Sequence, residues 1–400
     1  MKVLFIGGVF AKENELEVLK NAKAPVEYSA NIFQEKLIAG FYETGIDFQV
    51  LSAPFIGSFP NASKKMRFTG FSVKQDKYQY VQFNNIWGLR NFSRARALKK
   101  ALCSFIREAT EEKLIVVYSP HTPFLNAAVY AKKKDPRIKI CLYVPDLPQF
   151  MNLNEKKSLL YRVGKKLDIR KFNKLNQNVD SYVLLTDAMR EKIDIHDRPY
   201  IVVEGIATQI ELEQSEKYRN NVIKDKHIKY VVYTGKLYRK FGITQLIDAF
   251  MSLSNSNYRL VLCGVGDSER YIRAAQEKDS RILFMGQVSA EQAKEWVYRA
   301  DILVNPRGNS DEYTKYSFPS KNIEYLVSGN PVVGYRLSGM PEIYQEFMII
   351  PEMETSESLA LAIEKGLTKE IIKKGNFDTY CRENLTEKTI CARILSLNEF

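Results

Sequence analysis

The chain has 400 residues, of which 45% are apolar and 26% charged, so it is too long for one ordinary domain and its composition is not that of a disordered or fibrous protein. Its apolar runs fall far short of the roughly 18 residues of a membrane-spanning helix. Five cysteines with no Cys-x-x-Cys spacing and three histidines predict neither a disulfide framework nor a metal centre, and favour a cytoplasmic protein.

The net charge of +12 is concentrated in the first half of the chain. Residues 1–200 carry 33 Lys and Arg against 20 Asp and Glu, whereas residues 201–400 carry 26 against 27. Such asymmetry indicates that the first half meets an anionic surface, and the simpler alternative is a solvated face that keeps the protein soluble.

Short β-branched runs alternate with helix-periodic stretches along the whole chain. In the first half, strands are predicted over 2–6, 47–51, 114–118, 139–144, 181–186 and 200–203, and helices over 30–40, 92–108, 124–134 and 159–176. In the second half, strands are predicted over 230–233, 258–263, 282–285, 302–305, 331–334 and 348–350, and helices over 244–253, 269–278, 290–300, 321–328 and 356–366. This alternation predicts an α/β protein with two doubly wound parallel sheets, that is, two Rossmann-like domains facing a cleft.

The domain boundaries follow from a break in this pattern. A polar stretch over 208–229 suits an interdomain connection, so the predicted domains are 1–205 and 206–378. The tail 379–400 has an apolar stripe typical of an amphipathic helix, and its packing side stays open. Ligands of such sheets bind beyond the carboxyl ends of the strands, so the residues that follow strands are the candidates for function.

A basic glycine loop follows the first strand of the second half. Gly235 comes directly after the strand, and Lys236, Arg239 and Lys240 follow before Gly242 and a helix. Glycine lets a backbone approach a phosphate and the cations neutralise a diphosphate, although the same pattern also suits a basic turn on a solvated edge.

Two further strand ends carry similar signals. Gly264 and Gly266 form a Gly-x-Gly turn before a helix, which is weak alone but can place amides and a helix N-terminus at an anion. Arg307 follows another strand. The segment Ser317-Phe318-Pro319-Ser320-Lys321 then suits the entry to a helix whose first amides face the same site. Glu324 can accept ribose hydroxyls, or is simply a solvent-facing helical carboxylate.

In these motifs the sequence closely resembles the retaining, nucleotide-sugar-dependent glycosyltransferases of family 4, which have the two-domain GT-B fold. The resemblance covers most of residues 200–345 and looks like the bacterial capsular or exopolysaccharide type. It implies a first domain that binds the acceptor and a second that binds a nucleotide-diphosphate-sugar. The residues that it implies for the donor, besides those above, are Glu269, Gly286 and Val288. Gly7 and Gly8, which end the first strand, would face the donor diphosphate across the cleft.

The resemblance also implies roles in catalysis. The cations Lys236, Arg239 and Lys240 would stabilise the departing diphosphate, and His121, which follows a strand, would contact the sugar or acceptor. Asp146, in a proline-flanked loop, is the candidate for acceptor binding, with helix capping as its alternative role. The alternative for His121 is a purely structural histidine, and the alternative for Gly7-Gly8 is a tight strand-to-helix turn.

One position departs from the family pattern. The family often has Glu-x7-Glu, and counting back from Glu324 places Tyr316 where the first glutamate would stand. The contact with the donor sugar would then have to come from another group: Asp311 or Glu312 in the preceding loop, or the amides of Ser317–Pro319.

The implied chemistry is a same-face displacement with retention of the anomeric configuration. It needs no cofactor and no metal, because Lys and Arg supply the counter-charge and no Asp-x-Asp triplet is present. The acceptor is expected to be a glycan, linked to a polyprenyl diphosphate or otherwise, in cell-surface polysaccharide synthesis.

The charge pattern adds an expected partner. Two basic amphipathic stretches, 91–107 and 156–174, predict peripheral binding to the anionic inner face of the plasma membrane, unless their apolar stripes are buried in the domain. No nucleic-acid-binding signature accompanies the charge. The alternatives to a transferase are a nucleotide-sugar 2-epimerase of the same architecture and a degenerate transferase that acts only as a partner.

Overall fold

The structure, a computed structural model, describes residues 1–10, 12–24, 26, 28–73, 78–109, 112–148, 159–225, 227–309, 312–368 and 375–399. It divides into two compact units. Unit 1 comprises Met1–Ile206 together with Glu387–Phe400, and unit 2 comprises Ala207–Thr386. The segment 379–400, expected as a separate helix, is therefore shared between the two units.

Fifteen strands lie in the described part of the chain. Those of unit 1 are β1 (Lys2–Gly7), β2 (Asp47–Ser52), β3 (Arg67–Phe68), β4 (Phe71–Val73), β5 (Tyr78–Tyr80), β6 (Phe83–Asn84), β7 (Lys113–Tyr118), β8 (Ile138–Val144), β9 (Ser181–Leu184) and β10 (Tyr200–Val202). Those of unit 2 are β11 (Lys229–Thr234), β12 (Tyr258–Cys263), β13 (Ile282–Gly286), β14 (Ile302–Asn305) and β15 (Val332–Gly334).

The described α-helices surround these strands. The first seven are α1 (Lys12–Asn21), α2 (Tyr28–Glu43), α3 (Arg90–Ala101), α4 (Cys103–Arg107), α5 (Thr122–Lys134), α6 (Leu159–Asn176) and α7 (Met189–Ile193). The others are α8 (Gln209–Asn221), α9 (Ile243–Met251), α10 (Glu269–Lys278), α11 (Ala290–Arg299), α12 (Ser320–Val327), α13 (Ser356–Leu367), α14 (Gly375–Asn384) and α15 (Glu387–Leu397).

Each unit is built on a predominantly parallel sheet. The strand order is β10-β9-β8-β7-β1-β2-β5-β4 in unit 1 and β13-β12-β11-β14-β15 in unit 2, and among the described strands of these two sheets only the β4–β5 pair is antiparallel. Strands β3 and β6 form a separate antiparallel pair in unit 1. The central strands β1 and β7 are buried along their whole length, as expected of parallel strands covered on both faces. The prediction of two doubly wound sheets is confirmed.

Several local expectations were wrong. The polar stretch 208–229 contains α8, whose start has a capping box in which Thr208 and Glu211 bond each other's backbone amides. Residues 348–350 form no strand, and only Ile349 bridges to Val333. The helix expected over 92–108 is interrupted at Leu102, which separates α3 from α4.

The last helix belongs to the core of unit 1. Ile390 and Ile394 of α15 are fully buried in the cluster that also contains Leu37 and Phe41 of α2. Gly40 makes the close crossing of the two helices feasible, because a Cβ atom there would lie 2.2 Å from the backbone oxygen of Glu387. The apolar stripe of the tail therefore packs on the first domain.

This crossing predicts that Gly40→Val destabilises unit 1 by about 1–3 kcal/mol, since a branched side chain forces α15 away from α2. Gly164→Ala is the matched control, because a Cβ atom at Gly164 of α6 meets no atom within 4 Å and alanine is the better helix former. Thermal unfolding of both variants measures the effect. An unchanged midpoint for Gly40→Val would contradict the crossing.

Candidate functional site

The carboxyl ends of β11 and β12 approach each other through backbone alone. Gly264 has a φ of +137°, and a Cβ atom on it would lie 1.7 Å from the carbonyl oxygen of Gly235. The amide of Gly235 donates to the Cys263 oxygen at 2.8 Å, and the amide of Gly264 donates to the Gly286 oxygen at 2.7 Å. Glycine is required at this contact because any side chain would collide with the neighbouring loop.

The two loops stay paired beyond the strand ends. A Cβ atom at Gly266 would lie 2.1 Å from the Leu237 oxygen, and the amide of Leu237 donates to the Val265 oxygen at 2.9 Å. The amide of Arg239 donates to Oδ1 of Asp267 at 2.7 Å. The basic loop is therefore held on the Gly-x-Gly loop.

The end of β14 joins the same edge of the sheet. Gly242 has a φ of +78°, and a Cβ atom on it would lie 2.0 Å from the Pro306 oxygen. Arg307 then donates through Nη2 to Oγ of Ser317 at 2.6 Å, and its guanidinium lies 5.7 Å from the ring centroid of Phe241. The third motif is thereby tied to the first.

Helix α12 begins against the end of β11. Nζ of Lys321, in the first turn, donates to Oγ1 of Thr234 at 3.1 Å and to Oε2 of Glu324 at 2.9 Å. The hydroxyl of Tyr325 accepts the amide proton of Thr234 at 2.9 Å. These bonds fix the first turn of α12 beside Gly235, whose Cβ position is 3.2 Å from Cε of Lys321.

The cations of the basic loop are exposed. Lys236, Arg239 and Lys240 make no ion pair with a carboxylate among the residues that the structure describes. Nζ of Lys240 lies 5.4 Å from the ring centroid of Phe241. Three unpaired positive side chains thus follow Gly235 within a few residues.

The remaining expected donor residues differ in what they contact. Glu269 is the first residue of α10 and bonds Arg273 at 2.8 Å, so its carboxylate is already engaged. Gly286 ends β13 with a φ of +63°, and Val288 follows it half-buried. Pro319 precedes α12, Ser320 begins it and is exposed, and Phe318 is buried.

The position that departs from the family pattern is internal. Tyr316 is 5% exposed and ends a 3₁₀ helix that begins at Glu312, whose side chain is exposed. Of the two carboxylates expected to replace the missing glutamate, only Glu312 belongs to the described residues, because Asp311 lies outside them.

In unit 1 the Gly7-Gly8 turn is packed tightly. The amide of Gly8 donates to Oε1 of Gln34 at 2.8 Å, and both residues are buried. A Cβ atom at Gly8 would lie 2.4 Å from the ring of Phe55. The Gly8 amide therefore already has a protein partner, and the glycine is required by packing.

His121 lies in the wall of a cavity of about 900 Å³ in unit 1. It follows β7 and precedes α5, and its ring packs edge-on against Phe55 and Phe124. Nδ1 is buried and makes no hydrogen bond within the described residues. Burial, with the nearby charges of Arg94, Arg90 and Lys165, holds the pKa of His121 well below its usual range, so the ring is neutral at neutral pH.

The same cavity collects other residues that sequence reasoning did not assign. Asp146, the expected acceptor contact, is exposed at its rim. The wall also contains a half-buried Arg90 and a fully buried Arg94. No motif marks these arginines.

The two basic stretches behave differently. Most of the apolar stripe of the first stretch is core, because Leu98 and Leu102 are fully buried and Phe105 is 2% exposed, whereas Phe92 at its start is 72% exposed. On α6, Val163 and Leu167 are 49% and 57% exposed. Residues 156–158 of the second stretch lie outside the described residues.

Neither a membrane span nor a metal cluster is found in the part of the chain that the structure describes. None of the helices there is both long and apolar enough to cross a bilayer. Nor do three or more His, Cys, Asp or Glu side chains come together there as a set that could hold a metal ion.

Residues 228–369 match the family profile described as glycosyl transferases group 1. This segment contains all the unit 2 motifs described above. Among curated proteins, no sequence matches the chain.

Solved structures share the fold over the whole chain. Sucrose-phosphate synthase from Thermosynechococcus elongatus is 14% identical with a TM-score of 0.60, and covers 99% of this chain and 98% of its own. The lipopolysaccharide outer core galactosyltransferase WaaB in its apo form is 13% identical with a TM-score of 0.61, covering 99% of both chains. Anabaena Alr3699/HepE in complex with UDP is 14% identical with a TM-score of 0.57, again covering 99% of both. The two parallel sheets are thus those of GT-B structures.

The lowered pKa of His121 predicts a pH dependence of stability. Its pKa in the unfolded chain is about 6.5 and lies lower in the folded protein, so below about pH 7 the unfolded chain binds a proton that the folded chain does not. The free energy of unfolding of unit 1 therefore decreases as the pH falls from 7 to 5. We expect a shallower decrease in His121→Gln than in the parent, measured by thermal unfolding across this range. Equal slopes in the parent and in His121→Gln would disprove the assignment.

Proposed function

We propose that the chain is a retaining glycosyltransferase that moves a sugar from a nucleotide-diphosphate donor to a glycan acceptor, without a metal ion. The observation that carries this proposal is the convergence, at one edge of the unit 2 sheet, of three glycine-dependent backbone contacts, three unpaired cations and the first turn of α12. This arrangement fits an anionic, polyhydroxylated ligand.

The diphosphate would lie at the Gly235 loop. The side chains of Lys236, Arg239 and Lys240 supply positive charge, and backbone amides at the start of α12 add donors without side chains. Two solved structures that share the fold support this reading, since Anabaena Alr3699/HepE has been solved with UDP and with UDP-glucose.

Glu324 is the candidate for the donor ribose. Its carboxylate is 47% exposed and is held by Lys321, which itself is anchored to Thr234. One carboxylate oxygen bonds the lysine, and the other is available to accept from a hydroxyl. The Glu324–Lys321 pair therefore orients the carboxylate beside the proposed diphosphate site.

The proposed reaction needs stabilisation of negative charge on the leaving group. Cations that are already at the diphosphate lower the barrier by stabilising the negative charge as it develops. The leaving phosphate oxygen would take the acceptor proton while the acceptor attacks the same face of the sugar, which retains its configuration. His121, neutral and in the wall of the unit 1 cavity, would orient the acceptor or the sugar rather than carry charge.

A nucleotide-sugar 2-epimerase is the second candidate, because it would use the same donor residues without an acceptor. The unit 1 cavity, large and lined by side chains of mixed polarity, favours a transferase, since an acceptor requires a site of its own. Product analysis with the donor alone separates an epimerised nucleotide-sugar from slow hydrolysis.

The donor site is tested by thermal shift against UDP-, GDP-, ADP- and TDP-sugars. At least one should raise the unfolding temperature of the parent, in proportion to the logarithm of its concentration. Lys236→Ala and Glu324→Ala should each abolish the shift, whereas Lys278→Ala, which removes an exposed lysine of α10, should retain it. If both site variants respond like the parent, the assignment is wrong; if no nucleotide-sugar shifts the parent, a non-catalytic partner role is favoured.

We further propose that unit 1 meets the anionic inner face of the plasma membrane, where a lipid-diphosphate-linked acceptor of cell-surface polysaccharide synthesis would lie. The face of α6 supports this proposal, because Val163 and Leu167 are half exposed and surrounded by cations. The exposed cations of this helix are Arg162, Lys166, Arg170, Lys171 and Lys174. Each cation near such a surface contributes about 1 kcal/mol.

Vesicle flotation tests the membrane proposal. The parent should float with vesicles that contain anionic lipid and not with neutral vesicles, and Lys166→Glu with Arg170→Glu should reduce this binding by tenfold or more, since about 1 kcal/mol is lost per cation and repulsion is added. Arg270→Glu with Lys278→Glu, an equal charge change on exposed residues of unit 2, is the control. Equal flotation on both vesicle types would contradict the proposal.

A further inference from the structure

The cavity of unit 1 combines an aromatic wall with buried positive charge. Phe55, Phe68 and Phe71 line it, and it lies at the carboxyl ends of β7 and β8, where Ser119 and Asp146 follow the strands. Its volume of about 900 Å³ is enough for an oligosaccharide unit. Flat aromatic rings suit the apolar faces of sugar rings.

Arg94 is the least expected residue in this wall. It is 1% exposed, its Nη2 donates to the Pro54 carbonyl oxygen, and its guanidinium lies 4.6 Å from the ring centroid of Phe83. Its Nε makes no hydrogen bond among the described residues, and no carboxylate there pairs with it. A buried, uncompensated cation is expensive, because carbonyl oxygens and a ring face replace only part of its hydration.

Arg90, one helical turn before Arg94, likewise bonds a backbone carbonyl oxygen and no carboxylate of the described residues. Its Nη1 donates to the Ile56 oxygen at 2.8 Å, it is half-buried, and it too lacks an ion pair within the described residues. Like charges at i and i+4 of a helix repel each other, so the pair adds a further cost to that of burial. An anion in the cavity would remove both costs.

The other charged residues of the cavity do not neutralise Arg90 and Arg94. Lys65 and Arg67 are exposed at the rim, and Lys65 is ion-paired with Glu17. Asp146, the second carboxylate among the described residues of the lining, is exposed to solvent, which screens it. Among the residues that the structure describes, the lining thus has four cations and two carboxylates, and the buried charges among them are positive.

We propose that the unit 1 cavity selects an acceptor that carries an acidic group, a carboxylate or a phosphate ester on a sugar, which Arg90 contacts directly and Arg94 attracts from behind the wall. The aromatic residues would hold the sugar ring. This inference deepens the proposed function and rests on it only in naming the ligand an acceptor, since the binding itself requires no donor.

The experiment measures binding to the full chain by calorimetry without nucleotide. The probes are methyl β-D-glucuronide for a carboxylate, glucose 6-phosphate for a phosphate ester, and methyl β-D-glucoside as the neutral reference. At least one acidic probe should bind tenfold or more tightly than the glucoside, as expected for a hydrogen bond to a charged group. The tighter of the two identifies the acidic group.

Variants assign the effect to the arginines. Arg90→Gln should weaken the acidic probe about tenfold and leave the glucoside unchanged. Arg94→Lys, which keeps the charge, should retain the preference that Arg94→Met loses. Arg96→Gln, on the exposed side of the same helix, should bind like the parent.

Three outcomes would overturn the inference: acidic probes that bind no tighter than the glucoside, no measurable binding of any probe, or an unchanged preference in Arg90→Gln. The arginines would then only tie α3 to the carbonyl oxygens of Pro54 and Ile56. A failed nucleotide-sugar screen would leave these binding results standing, so the two proposals fail separately.

Discussion

The close approach of two backbones at the ends of β11 and β12 determines the geometry of unit 2. Gly264 and Gly235 meet where no side chain fits, and the Gly242–Pro306 contact repeats this constraint at β14. Because these contacts are between main-chain atoms, they leave little freedom for the loops that follow. The basic loop is consequently placed by the sheet itself, whereas the first turn of α12 is tied to β11 by the side chains of Lys321 and Tyr325.

The two units use positive charge in different ways. In unit 2 the cations that follow Gly235 are exposed and separated from carboxylates of the described residues, which suits a ligand that arrives with its own charge. In unit 1 part of the excess charge is internal, as Arg94 shows. Net charge counted along a sequence does not distinguish the two cases, because it contains no information on burial.

Much of the architecture could be predicted from sequence, and the exceptions have physical reasons. Fully buried parallel strands are long β-branched runs, whereas β3 to β6 have only two or three residues each and show no period. The polar composition of α8 concealed a helix, although Thr208 and Glu211 have capping-box spacing. Arg94 shares the i+4 spacing of Leu98 and Leu102 and could have been recognised as inward-facing. The glycines of unit 2 could be predicted as site residues because glycine after a strand is itself the sequence pattern. The bonds of Thr234 with Tyr325 and Lys321 could not be predicted, because they join residues far apart in the chain.

The packing of α15 on α2 also bears on how the protein is made. Unit 2 is continuous in the chain, from Ala207 to Thr386, whereas unit 1 takes one core helix from beyond it. During synthesis, most of unit 1 leaves the ribosome first, and its apolar surface around Leu37 and Phe41 stays uncovered until α15 has been synthesised. All residues of unit 2 are synthesised before α15. Unit 2 can therefore complete its fold before unit 1, although the synthesis of unit 1 begins first.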